Sequence, residues 1–152
     1  MKVKISVRLS CAFETAVSAV KKSSLLHFVA SPLVSFSPSA GAFPQTWTPG
    51  THWAGLKLFG FIPFGKQAIV ISFEPVSSKF VMHDRGHSAL IRKWHHTITI
   101  EPIGAGESQY TDEVEIQAGL LTPVIWGFAS VFYRHRQKRW LELCAQNFRQ
   151  LT

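Results

Sequence analysis

Two consecutive stretches decide the fold: SQYTDEVEIQA (Ser108–Ala118) and GLLTPVIWGFASVFY (Gly119–Tyr133). In the first, Tyr110, Val114 and Ile116 alternate with Thr111, Glu113, Glu115 and Gln117, the period of a half-buried strand. In the second the period lengthens. Leu121, Val124, Ile125, Phe128, Val131 and Phe132 fall on one arc of an α-helix, with Thr122 as its cap and Pro123 at its first position. The helix is expected to run to about Phe148, roughly 40 Å at 1.5 Å per residue. A strand that hands over directly to a long amphipathic helix needs a sheet for that helix to cover.

Working back from Ser108, the period of two recurs in Leu90–Pro102, Lys79–Asp84, Gly65–Glu74 and Thr51–Phe59. Turn signals stand between these strands at Gly104-Ala105-Gly106, Arg85-Gly86, Glu74-Pro75 with Ser77-Ser78, and Ile62-Pro63. Short turns make sequential strands antiparallel neighbours. Leu33–Pro49 is rich in Ser, Pro and Gly and reads as a loop with room for one short strand. Ala12–Val29 has helical spacing in one or two pieces, closed by Ser31-Pro32, and Lys2–Leu9 alternates as a first strand. The order is strand, helix, a run of antiparallel strands, long helix: an α+β chain. Gly55, Gly60 and Gly65 lie in or beside strands, where glycine permits bending.

This order, together with several motifs, resembles the SRPBCC branch of the START-like (Bet v 1-like, polyketide cyclase-like) superfamily. The residues concerned are Ala30-Ser31-Pro32-Leu33 with Phe36-Ser37-Pro38, Leu58 to Gly65, Trp94-His95-His96, Tyr110 to Val114, Ala118 to Pro123 and Phe132 to Trp140. The resemblance implies a helix-grip fold: a curved antiparallel sheet of six to seven strands wrapped around a long C-terminal helix, in a single domain over residues 1–152. It also implies an internal cavity for a small hydrophobic ligand such as a lipid or polyketide. The superfamily includes cyclases and hydrolases but has no shared catalytic set, so no catalytic residue carries over.

Alternation turns Asp112 to the same side as Tyr110, Val114 and Ile116, a carboxylate on the apolar face. In the preceding strand Ile98 and Ile100 mark the inward face, which also takes Trp94 and His96. With inward faces matched, Ile98 sits opposite either Asp112 or Val114. Only the first register brings His96 and Asp112 within reach of each other as diagonal neighbours. A buried Asp needs a partner, or it stays neutral. Asp112 could therefore be a structural pair, a ligand anchor or half of an acid–base couple, and its partners could be His96, Tyr110, Arg92 or backbone amides. Trp53, Phe59 and Phe61 on one side, and Trp126, Phe128 and Phe132 on the other, are the candidate cavity walls. His83-Asp84 and His87 flank the Arg85-Gly86 turn and are expected to be exposed.

Composition narrows the function classes. Hydrophobic residues make up 46% and charged ones 16%, which excludes an intrinsically disordered chain. Seven histidines and two cysteines form no metal-ligand spacing, and no cofactor motif is present; Gly104-Ala105-Gly106 precedes a strand, not a helix. Cys11 and Cys144 are expected as free thiols. The net charge of +7 gathers in Arg134 to Arg139, read as the solvated last half of the helix rather than a specific nucleic-acid site. No stretch is long and apolar enough to span a bilayer, and no secretory leader is expected, so the expected location is cytoplasmic. The function expected is binding of a small hydrophobic ligand through Trp53, Phe61, Trp94, His96, Tyr110, Asp112, Trp126, Phe128 and Phe132. The alternative is a cyclase or dehydratase using a cavity His/Asp pair, and an RNA or anionic membrane surface on the basic run is a third. Oligomeric state is not written in the sequence.

Overall fold

A computed structural model describes residues 1–151 of the chain. Its elements are β1 (Lys2–Leu9), α1 (Phe13–Val20), α2 (Ser23–Ala30), β2 (Val34–Pro38), β3 (Gly50–Leu58), β4 (Ile62–Phe73), β5 (Phe80–Ser88), β6 (Lys93–Gly104), β7 (Glu107–Gln117) and α3 (Thr122–Ala145). All seven strands form one antiparallel sheet in the order β1-β7-β6-β5-β4-β3-β2. α3 packs along β1 and α2, and α1 and α2 lie against the other end of the concave face. This is the α+β helix-grip architecture expected from the sequence, with its strand count at seven.

Three local departures matter for the site. β5 does not stop at Asp84: it runs through Arg85 and Gly86, which pair with His95 and Trp94 of β6. Gly86 allows this because a β-carbon there would lie 2.7 Å from Gln67 Nε2 and 3.0 Å from the Ala68 carbonyl oxygen. The turn comes later, where Ser88 Oγ and its backbone N–H bond Ile91. At the other end, the β3–β4 turn is made by Phe59, Gly60 and Phe61 rather than Ile62-Pro63, with Gly60 at φ 81 and Phe59 at φ 55. A register shift between Gly55 and Lys57 bends β3 just before that turn.

The third departure is α3. Its buried side chains are Ile125, Ala129, Phe132, Tyr133, Arg136, Gln137, Trp140 and Leu143. Leu121, Val124 and Val131, which share the apolar arc in the sequence, are 42%, 71% and 58% exposed. Thr122 lies inside the first turn instead of capping it. Its hydroxyl accepts from the Ala118 N–H and donates to the Gly119 carbonyl, which ties β7 to the helix.

Candidate functional site

The concave faces of β5, β6 and β7 place the chemistry. On β7, burial alternates without a break, so Ser108, Tyr110, Asp112, Val114 and Ile116 all face inward. β6 pairs with it such that Ile98 stands opposite Asp112 and His96 opposite Val114. Of the two registers open in the sequence, this one makes His96 the diagonal neighbour of Asp112. Their side chains meet, with His96 Nε2 2.7 Å from Asp112 Oδ1. On the far side of β6, Asp84 of β5 stands directly opposite His96.

Asp112 is sealed in: it is 1% exposed. The Tyr110 hydroxyl donates to Oδ1 at 2.8 Å, and Gln137 Nε2 donates to Oδ2 at 3.5 Å while also holding the Ile5 carbonyl at 2.7 Å. Arg136 Nη2 lies 3.8 Å from Oδ1 and donates to the Tyr110 oxygen at 3.2 Å. Burial alone would raise the Asp112 carboxyl. The Arg136 guanidinium and the bonds from His96 and Tyr110 outweigh it and hold the group below the ordinary carboxylate range. It is ionised. Burial pushes His96 the other way, below an ordinary histidine, in spite of the carboxylate beside it. A neutral imidazole next to an ionised Asp112 keeps its proton on Nε2, and Nδ1 is then the acceptor. Nδ1 makes no hydrogen bond among the described residues.

Asp84 has a different environment. The one hydrogen bond of its side chain, among the described residues, is to the backbone N–H of Val70 at 2.9 Å. Burial therefore dominates, and neither that bond nor the more distant Arg136 offsets it; the carboxyl is pushed up to about 7. Two carboxyls face the same helix, one charged and one that titrates near neutral pH.

Between sheet and helices lies a cavity of about 110 Å³. Its walls are mainly apolar: Ile69 and Ile71 of β4, Met82 of β5, Ile98 of β6, Leu25 of α2, and Phe128 and Phe132 of α3. The polar groups that reach it are Gln67, Asp84, His96, Tyr133 and Arg136, together with the edges of Trp47 and Trp94. Trp94 Nε1 donates to the Tyr133 hydroxyl at 3.1 Å, and the Tyr133 ring sits 4.9 Å from that of His96. These two contacts fix the wall in which His96 is set.

Four of the residues expected at the site, Trp94, His96, Phe128 and Phe132, line this cavity. Tyr110 and Asp112 lie one layer behind it and reach it only through His96 and Arg136. The other three are elsewhere. Trp53 is 47% exposed on the opposite face of β3, edge-on to His87, because the inward positions of that strand are His52, Ala54, Leu56 and Leu58. Phe61 is 73% exposed in the β3–β4 turn, where the strand period no longer applies, and Phe59 is 52% exposed beside it. Trp126 packs at the helix margin and donates its N–H to the Lys2 carbonyl. Arg92 is exposed and takes no part.

Asp84 and Arg136 are the residues that sequence reasoning missed. Asp84 looked like a turn residue; the alternation Phe80, Met82, Asp84 was the available signal, and it carries straight into the cavity. Arg136 was counted with a solvated run. In fact that run is largely in use: Arg136 and Gln137 are buried, His135 bonds the Ser31 carbonyl at 2.6 Å, and Arg139 donates to the Phe28 carbonyl at 3.1 Å. Arg134 and Lys138 are the exposed members of it. Cys11 and Cys144, distant in sequence, are in contact with sulfurs 3.6 Å apart. The Cys144 hydrogen bond outweighs burial and lowers the Cys11 thiol to about 7.

Residues 40–143 match the model of a family described as a domain of unknown function, DUF8410. The chain belongs to that family. No curated protein matches the DUF8410 sequence. Solved structures do. A START superfamily protein from Mycobacterium smegmatis is 15% identical, with 95% of this chain and 97% of that one covered at a TM-score of 0.63. A conserved protein from Geobacillus kaustophilus is also 15% identical, covering 96% of each chain at 0.64. The Zhui aromatase/cyclase from Streptomyces sp. R1128 is 8% identical, with 98% and 96% covered at 0.67. At these identities the likeness is one of fold: the DUF8410 chain shares the helix-grip fold of these structures. Among the described residues no His, Cys, Asp and Glu cluster could hold a metal ion, and no helix is long and apolar enough to cross a membrane.

Proposed function

We propose that the chain binds a compact, largely apolar small molecule in the cavity between the sheet and α3, as a carrier or sensor. The observation that supports this most is the cavity's composition. Aliphatic and aromatic side chains make up most of the wall, and a few polar groups are set among them, as small-molecule sites require. A void of about 110 Å³ left unfilled forgoes dispersion contacts that a folded core would otherwise make. Its size argues for a ligand of one or two rings, smaller than a full lipid.

Native mass spectrometry of the protein as purified should show a small-molecule adduct that denaturation releases. Because Trp47 and Trp94 border the cavity, toluene added to ligand-stripped protein should change their fluorescence saturably. A bare chain that also gives no saturable response to toluene would overturn the proposal.

A cyclase or dehydratase is the second reading, and its support is His96: a cavity residue hydrogen-bonded to a carboxylate is the usual arrangement of a general base. Asp112 itself does not reach the cavity, so in that reading it would only orient His96. A couple with one member out of contact with substrate favours binding over catalysis.

A further inference from the structure

Resting on that reading of the cavity, we infer that its ligand carries a neutral hydroxyl or comparable donor–acceptor group, held between Asp84 and His96. The hydroxyl hydrogen goes to His96 Nδ1, and its oxygen is held by the Asp84 carboxyl group.

Position is the first argument. Asp84 and His96 are directly paired across β5 and β6 with both side chains on the cavity wall. Directly opposite residues of an antiparallel pair have β-carbons about 5 Å apart. One oxygen atom on a ligand can therefore reach both side chains. No hydrogen bond joins the two residues to each other, and each has capacity left over. His96 has committed Nε2 to Asp112, and Asp84 has committed Oδ1 to Val70. The remaining Asp84 oxygen and His96 Nδ1 have no protein partner among the described residues.

The second argument is that the two groups are complementary in hydrogen-bonding sense. Asp112 is charged and takes the His96 proton at Nε2, so Nδ1 presents a lone pair. Asp84 keeps its own proton up to about pH 7 and so presents a donor. The groups that bear on this are few. Facing Asp84 are His96 from β6 and Tyr133 and Arg136 from α3. The residues that β4 and the α1–α2 side contribute to the wall are neutral, chiefly Gln67, Ile69, Ile71, Val20 and Leu25. His96 is held neutral and Tyr133 is held well above an ordinary tyrosine, so Asp84 is the group that titrates in the working range. An anionic ligand is disfavoured, because Arg136, the one cation on the wall, already compensates Asp112.

Two pairs of near-isosteric probes test this in ligand-stripped protein: phenol against toluene, and anisole against ethylbenzene. In a purely apolar cavity phenol binds worse than toluene, since its hydroxyl is desolvated without compensation. Here phenol should bind about threefold to tenfold more tightly than toluene. Anisole only accepts a hydrogen bond. It should exceed ethylbenzene at about pH 5.5 and lose that advantage by about pH 8.5, as Asp84 ionises through about 7. Asp84→Asn keeps a neutral donor, so in that variant the anisole advantage should persist at both pH values. Toluene and ethylbenzene binding without a phenol preference, or an anisole advantage that ignores pH in the wild-type protein, overturns the inference and leaves the cavity proposal standing. Failure of all four probes to bind removes both.

Discussion

The two halves of α3 contrast with what their residue types suggest. The first half, through Phe132, looks apolar, yet Val124 and Val131 are mostly exposed. The second half looks like a charged, solvated surface, yet it buries Arg136, Gln137 and Trp140. Burial along this helix follows position more than polarity. Ile125, Ala129, Phe132, Arg136, Trp140 and Leu143 are three or four residues apart, so they form one stripe facing the sheet. Arg136 sits in the stripe because β7 carries Asp112 at the matching height. What the contrast teaches is that a buried carboxylate in the sheet calls for a buried cation in the helix, so that the two form one unit.

The largest effect should come from separating that unit. Arg136→Met keeps most of the side-chain stem but leaves Asp112 buried without its cation. Removing one partner of a buried pair typically costs about 3 to 5 kcal/mol, and a loss of this order is expected in urea unfolding. Arg134→Met, one turn edge away and exposed, should cost less than about 0.5 kcal/mol. Adding Asp112→Asn to Arg136→Met should return about 1 kcal/mol or more, because the uncompensated charge is then gone. Equal effects of Arg134→Met and Arg136→Met would abolish the distinction between the two sides of the basic run.

Arg136 faces two carboxyls. Asp112 is compensated; Asp84 is not, and its folded-state value of about 7 stands well above the ordinary aspartate value. A raised acid binds more protons folded than unfolded between those two values, so stability falls as pH rises across that interval. The loss is complete above about 7. Asp84→Asn removes the titration while an amide oxygen can still accept from Val70 N–H. At about pH 8 the variant should be more stable than the parent by about 2 to 4 kcal/mol, and at about pH 4 the two should nearly coincide. Parallel stability–pH curves for the two proteins would show that Asp84 is solvated well enough to ionise freely.

How much of this was readable beforehand follows the same division. β7 announced itself, since five inward positions alternate without interruption and Asp112 was visible as the odd member. The register of β6 on β7 was narrowed to two choices by matching inward faces, and hydrophobic patterning can go no further than that when both choices bury the same set. Asp84 was hidden by the polar sequence His83-Asp84-Arg85-Gly86. β5 stays extended there because it pairs with β4 and β6, and Gly86 leaves the room that Gln67 takes, contacts between strands that local propensity does not encode. Trp53 and Phe61 were misplaced for different reasons. Alternation with Ala54, Leu56 and Leu58 turns Trp53 outward, whereas Phe61 stands in the turn at Gly60, where the strand period no longer applies.

The smallest expected effect completes the contrast from its apolar end. Val131 is 58% exposed, while its neighbour Phe132 is 5% exposed and lines the cavity. Val131→Ser exchanges one middling helix former for another and removes two methyl groups that are mostly in water already. It should change unfolding free energy by less than about 0.5 kcal/mol and leave toluene binding unaltered. A cost above about 1 kcal/mol would mean that something covers this face in solution, and that the outer side of the first half of α3 is an interface instead of a free surface. A concentration-dependent melting temperature lost in Val131→Ser would identify the cover as a second copy of the chain.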